Sequence, residues 1–168
     1  MTPDLFWIPG RWRGKLAVAT RPRGGDWLED EARGWREAGL DIVVSLLEPR
    51  EAAELGLANE AAEAQAVGIR LISFPIPDLG VPEAMLPSHS LLRQLRDELM
   101  DGHTIAVHCR QGIGRAGLIA AGVLVASGTS VEHAIEAVST ARGLTVPETQ
   151  VQLDWLHELH AEEIVVTS

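Results

Sequence analysis

Residues 106–121, AVHCRQGIGRAGLIAA, bring together a histidine, the chain's lone cysteine, three glycines and an arginine. Two chemistries fit this stretch. GIGRAG satisfies the Gly-x-Gly-x-x-Gly pattern that holds the pyrophosphate of a dinucleotide. His108-Cys109-x-x-Gly112-x-x-Arg115 instead describes a nucleophile facing an anion cup. Both require a strand, a glycine-rich turn and a helix whose N-terminus collects backbone N–H groups around an anion. A cysteine at the end of such a strand meets unpaired amides and the positive end of the helix dipole. Its thiol is therefore expected to ionise near neutral pH, and the thiolate is the nucleophile. The backbone of Arg110, Gln111, Gly112, Ile113, Gly114 and Arg115 can curl its amides inward around three phosphate oxygens, with glycines allowing the required angles. Arg115 closes the ring, because a planar guanidinium binds two equatorial oxygens at once and keeps that grip as charge redistributes in the transition state.

The flanking sequence decides between the two. A dinucleotide fold needs a second strand about 20 residues past the fingerprint, ending in an acidic residue for the ribose. Here that region is SVEHAIEAV (130–138), whose apolar spacing is helical. A phosphate loop of the Gly-Lys-Ser/Thr type fails as well, since no such triplet follows. The thiolate reading remains.

The elements that must position it alternate short apolar runs with longer amphipathic ones, the pattern of an α/β fold with helices around a mostly parallel sheet of four to five strands. LFWI (5–8) and LAVAT (16–20) are predicted as an edge hairpin. Asp26 is expected to cap a helix from Trp27 to Ala38, stopped by Gly39. Strands follow at 41–47 and 69–76, separated by two short helical pieces. PIPDLGVPEAMLP (75–87), with four prolines, is then a long surface loop. Ser88 is expected to cap a helix that carries Leu91, Leu92, Leu95 and Leu99 on one face. The strand at 103–109 is the most apolar, and residues 115–127 form a helix that is apolar all round and so central. Helices at 130–142 and 147–163 complete one expected domain over residues 1–168.

Bulk composition narrows the functions. At 168 residues and 46% hydrophobic, the chain can bury one sizeable core. A single cysteine excludes an internal disulfide or a multi-cysteine zinc site and suits a reducing cytoplasm. No apolar run is long enough for a membrane span, and Asp4 stands where an export signal would be basic. A formal charge of −10 disfavours nucleic acid and anionic membranes as partners. Arginine outnumbers lysine 13 to one, a usage that suits a GC-rich bacterial genome and carries no functional weight. Arg21 and Arg23 in TRPRGGDW (20–27) are read as a solvated turn before an anion site. HELH (157–160) is read as an exposed helix face, since a metal would need a third ligand nearby.

The chain resembles the cysteine-dependent protein tyrosine phosphatase superfamily, close to its compact dual-specificity and kinase-associated-phosphatase-like bacterial members. The resemblance spans the strand, loop and helix of 103–127, the FPIPDLGVP loop (74–82) and the RGLTVPETQVQ segment (142–152). It implies hydrolysis of a phosphorylated protein or peptide through a phosphocysteine on Cys109, with no metal or cofactor. Asp78 is then the acid that protonates the leaving oxygen and the base that activates water, with Glu83 a weaker substitute. His108 is expected to point to the opposite side of its strand and hydrogen-bond the loop backbone. Gln111 and Ile113 are expected at the pocket mouth. Gln152 corresponds to the family glutamine that orients water, Glu148 stands where other tyrosine phosphatases place a second glutamine, and Gln150 is a rival. Ala116 replaces the usual Ser or Thr after the arginine, as it does in the similar phosphatases of regenerating liver. Loss of that hydroxyl should slow breakdown of the phosphocysteine, which leaves a phosphate-binding pseudophosphatase or a slow trap as the alternative. Hydrolysis of a phosphoinositide is the third reading, disfavoured because Arg110 is the only basic side chain at the loop's variable positions.

Overall fold

A computed structural model describes residues 3–167, and for side chains residues 3–162. Five strands and seven α-helices are present among them. The strands are β1 (Leu5–Ile8), β2 (Lys15–Ala19), β3 (Ile42–Ser45), β4 (Arg70–Ser73) and β5 (Thr104–His108). The helices are α1 (Leu28–Glu37), α2 (Pro49–Glu54), α3 (Glu60–Ala66), α4 (Met85–Met100), α5 (Gly114–Ala126), α6 (Val131–Arg142) and α7 (Gln150–Thr167). The sheet order is β1-β2-β5-β3-β4, with only the β1–β2 pair antiparallel. The expected α/β class, the edge hairpin and the mostly parallel sheet are all found.

Alternation along the strands sorts the core into two layers. Leu16, Val18, Ile42, Val44, Ile105 and Val107 face α4, α5, α6 and α7 in the larger cluster. Ala19, Val43 and Ala106 face the other way, onto Ala32, Trp35 and Ala64 of α1 and α3. Every residue of α5 is buried, in keeping with its unbroken apolar sequence. Sitting at the middle of the sheet with this helix behind it, β5 delivers its C-terminal end to the most enclosed point of the parallel edge.

Two helix starts differ from expectation. Asp26 does not cap α1; a single 3₁₀ turn over Gly25–Trp27 comes first, and Trp27 stands at the cap without a side-chain bond. The cause is a tight backbone crossing: Gly25 N–H donates to the Gly56 carbonyl at 2.9 Å, and a Cβ on Gly24 would lie 2.0 Å from the Leu55 carbonyl oxygen. Ser88 likewise lies inside α4, which begins a turn earlier, and its hydroxyl donates to the Ala84 carbonyl at 2.8 Å. Pro87 is tolerated there because first-turn amides have no intrahelical acceptor to lose.

Strand β4 ends at Ser73, shorter than the apolar run suggests, yet the chain stays beside β3. Phe74 N–H donates to the Ser45 carbonyl at 2.9 Å and Ile76 N–H to the Leu46 carbonyl at 3.0 Å. Leu46 N–H in turn donates to the His108 carbonyl at 3.0 Å. These bonds bring residues 77–80 to the same edge as the end of β5. Leu118, fully buried in α5, tests the layer that supports this edge. Leu118→Ala is expected to lower unfolding free energy by about 2–5 kcal/mol, read from urea denaturation.

Candidate active site

Cys109 follows β5 directly and is 3% exposed. The five residues after it turn back into α5, whose first residues are Gly114 and Arg115. The loop's outer face is held by two arginines from distant elements. Arg142, the last residue of α6, donates from Nε to the Gly112 carbonyl at 2.7 Å and from Nη2 to the Gln111 carbonyl at 3.3 Å. Its guanidinium stacks on the Phe6 ring of β1, 4.1 Å from the centroid. Arg21, just past β2, donates to the Arg110 carbonyl. In a trans peptide the N–H points opposite to the C=O of the same unit. With the carbonyls of 110, 111 and 112 turned outward to guanidinium groups, the amides of 111, 112 and 113 turn inward. No backbone carbonyl among the described residues accepts from the amides of 110–115. Gly112 makes the curl possible: its φ is +68°, and a Cβ there would lie 2.6 Å from the Ala19 carbonyl oxygen.

Arg115 is 2% exposed. Its Nη1 and Nη2 donate to the two carboxylate oxygens of Glu51 at 2.7 and 3.0 Å, and Nη1 also donates to the Ile76 carbonyl at 2.9 Å. Asp78 Oδ1 lies 3.4 Å from Nη2. Burial alone would lower the guanidinium pKa; the Glu51 hydrogen bonds and the negative charges at Cys109, Glu51 and Asp78 outweigh it and raise the value further. The Arg115 hydrogen bond holds the Glu51 carboxyl below the usual carboxylate range. Arg115 Nε is buried and has no hydrogen-bond partner. Glu51 comes from the first turn of α2, where its Oε1 also accepts from the Glu48 amide at 3.1 Å. A carboxylate thus fixes both the tilt of the guanidinium and the start of the helix that carries it.

Asp78, Cys109, Arg110, Gln111, Arg115 and Glu148 surround one pocket of about 180 Å³, with Leu79 and Gly114 completing it. Asp78 occupies the first corner of a tight turn closed by a 2.9 Å bond from Gly80 N–H to the Pro77 carbonyl. Leu79 at the second corner has φ +61°, a conformation that a branched side chain adopts only at a cost of about 1–3 kcal/mol. The strain sits next to the carboxylate it presents to the pocket.

The remaining sequence candidates fall as follows. His108 turns to the opposite face of β5 from Cys109; it is fully buried, stacks on Trp35 and pairs through Nε2 with Glu60, the first residue of α3. Its Nδ1 lies 3.3 Å from the Cys109 carbonyl, so it does touch the loop backbone. Gln111 lines the pocket, whereas the Ile113 side chain packs against the large apolar cluster. Gln152 is fully buried and away from the pocket lining: its Oε1 accepts from the Glu148 amide at 3.0 Å and its Nε2 donates to the Gly80 carbonyl at 3.2 Å. Glu148 reaches the pocket wall instead, over Gly114, where a Cβ would lie 2.1 Å from its Oε1. Gln150 bonds Asp154 on the helix exterior, and Glu83 is exposed. No group of three metal-ligating side chains exists among the described residues, HELH included. Glu51, Glu60 and Arg142 were not found from the sequence; only Glu51 left a trace, as the glutamate three residues after a helix cap.

Comparison with known proteins agrees with this geometry. The family model Tc-R-P, described as "Polymorphic toxin system, DSP-PTPase phosphatase", matches residues 17–129. The protein 197R of Invertebrate iridescent virus 6, named as a tyrosine phosphatase, is 35% identical over 98 residues, which are 56% of this chain and 35% of that protein. Cyclin-dependent kinase inhibitor 3 of Rattus norvegicus is 26% identical over 133 residues, 78% of this chain and 62% of that one. The chain thus spans about a third of the viral relative and under two thirds of the rat one. Kinase associated phosphatase, solved with its catalytic-site cysteine replaced by serine, superposes with a TM-score of 0.86 over 98% of this chain and 97% of its own, at 19% identity. Tk-PTP in its active form superposes at 0.76 over 96% and 99%, at 29% identity. Since the matched span holds the thiol, the anion loop, the loop of Asp78 and the start of the buried guanidinium's helix, the chain belongs to the DSP-PTPase phosphatase family of polymorphic toxin systems, within the cysteine-dependent protein tyrosine phosphatase superfamily.

Proposed function

We propose that this chain hydrolyses phosphomonoesters on proteins or peptides, phosphotyrosine foremost and phosphoserine or phosphothreonine with it, in the cytoplasm. One observation carries the reading: the buried Arg115 Nε has no protein partner and sits at the floor of the pocket that holds Cys109. A buried donor of this kind calls for an acceptor, and a phosphate oxygen supplies one. Glu51 occupies one edge of the guanidinium with the geometry of a bidentate pair, which leaves Nε for the substrate.

The Cys109 thiolate attacks phosphorus, and the bond from phosphorus to the ester oxygen breaks. Asp78 gives its proton to that oxygen, so the product leaves as an alcohol. Water then attacks the phosphocysteine; Asp78 takes its proton and the sulfur departs as thiolate. Throughout, the loop amides and Arg115 balance the charge on the equatorial oxygens. Arg115 Nη2, 3.4 Å from the Asp78 carboxylate, keeps that group over the pocket.

The decisive assay is hydrolysis of p-nitrophenyl phosphate and a phosphotyrosyl peptide. Activity should be blocked by vanadate and vanish in Cys109→Ser; no hydrolysis of either by the wild type would refute the reading. Asp78→Asn should lower kcat on the peptide by roughly 10²-fold or more and affect the good leaving group p-nitrophenol much less.

Ala116 is fully buried beside Arg115 and offers the sulfur no hydroxyl. A rapid burst of p-nitrophenol followed by a slower steady rate is expected, and Ala116→Ser should raise that steady rate by stabilising the departing thiolate. A burst with negligible turnover would identify the trap instead.

Glu51→Gln separates aim from charge. It should cut kcat/KM about 10²-fold by loosening the guanidinium. The folded-state pKa of Glu51 is lowered, so its contribution to stability is complete above the ordinary carboxylate pKa and is lost as pH falls through the lowered value. The stability gap between wild type and Glu51→Gln should therefore be largest at neutral pH and close in acid, as read by denaturant melts across pH.

A further inference from the structure

Beside the catalytic pocket lies a second cavity of about 360 Å³, and the two share Arg110 and Gln111 as a common rim. Its lining includes Arg21, Arg23 and Arg110 and contains no carboxylate. This is unusual on a chain with a formal charge of −10. Each arginine is held differently. Arg23 is anchored from behind, its Nε 2.6 Å from Glu31 and its guanidinium 4.2 Å over the Trp27 ring. Arg110 is 42% exposed and only distantly paired, 3.9 Å from Glu51 Oε2, a carboxylate already taken by Arg115. Arg21 is exposed, makes no ion pair among the described residues, and its hydrogen bond to the Arg110 carbonyl uses one of five N–H donors. On the far side of the catalytic pocket stand Asp78 and Glu148. The mouth is therefore polarised, with guanidinium groups on one flank and carboxylates on the other.

We propose that the arginine-lined cavity is a subsite for a second anionic side chain of a phosphopeptide, an aspartate, a glutamate or another phosphorylated residue close to the one whose phosphate enters the catalytic pocket. The subsite rests on the phosphatase reading above and specifies its substrate class. An extended peptide turns successive side chains to opposite sides, so it can set its anion on the arginine flank and keep negative charge from Asp78 and Glu148. A ring bearing several phosphates would turn charge toward both flanks. Bidentate seating on Arg21 or Arg110 supplies charge-assisted bonds, and the rim they share with the loop puts that contact beside the reacting phosphate.

The test compares kcat/KM for two phosphotyrosyl peptides of equal length, one flanked by glutamates and one by glutamines, with p-nitrophenyl phosphate alongside. The acidic peptide should be favoured roughly five- to thirtyfold, mostly through KM, and the preference should shrink in high salt. In Arg21→Gln the ratio should fall toward one; Arg21→Lys, which keeps the charge, should retain more of it. Using the ratio removes any effect of Arg21 on the loop itself. Hydrolysis of p-nitrophenyl phosphate with a ratio near one, or a ratio that Arg21→Gln leaves unchanged, would overturn the subsite while the phosphatase reading stands. Loss of all hydrolysis would refute that reading instead. Calorimetric binding of the same two peptides to Cys109→Ser then tests the subsite alone, and equal affinities overturn it. Preferred hydrolysis of a phosphoinositide in vesicles over both peptides would also overturn it.

Discussion

A buried positive charge is tolerable only when something nearby balances it, and Arg115 organises its surroundings around that need. Glu51 takes both terminal nitrogens, the Ile76 carbonyl takes a further bond, and Asp78 and Cys109 add negative charge close by. Removing one partner of a buried pair costs more than the pair contributes, because the other is left uncompensated. The first turn of α2, the end of the chain that follows β4, and the start of α5 are therefore committed to one another. Those three segments lie far apart in the sequence and are brought to one place by the order β5-β3-β4 at the sheet's parallel edge.

The anion loop relies on a division of its peptide groups. Carbonyls face outward to the guanidinium groups of Arg21 and Arg142, so amides face inward. A loop with free carbonyls could flip its peptide units at little cost; one with its carbonyls engaged cannot. Positive charge is thereby placed behind the cup as well as within it, and both placements favour an oxyanion. The hairpin β1–β2 serves the site indirectly, since Phe6 supports Arg142 and the end of β2 carries Arg21.

What the sequence reveals here is what is local. His108, Cys109, Gly112 and Arg115 sit within eight consecutive positions, and the strand and helix around them are apolar enough to be read directly. The proline-rich loop was legible for the same reason, and Asp78 does reach the pocket. Helix starts were less legible: a cap residue at Asp26 or Ser88 was outweighed by a backbone crossing at Gly24 and Gly56 and by a proline that fits a first turn. Glu51, Glu60 and Arg142 could not be found, because each acts across 30 or more residues on a partner that no spacing rule connects to it. In the RGLTVPETQVQ segment the polar residues were visible but their directions were not. A helix beginning at Gln150 rather than 147 turns Gln152 inward and leaves Glu148 on the pocket wall.

The Gln152 amide uses both of its ends, accepting from Glu148 and donating to Gly80. Neither a carboxylate nor an ammonium can do both, so a single neutral side chain couples the two banks of the pocket. One bank cannot swing open and leave the other in place. Widening the aperture for a bulkier substrate would have to shift both segments together, and sequence change at 78–80 is tied to compensating change near 148–152.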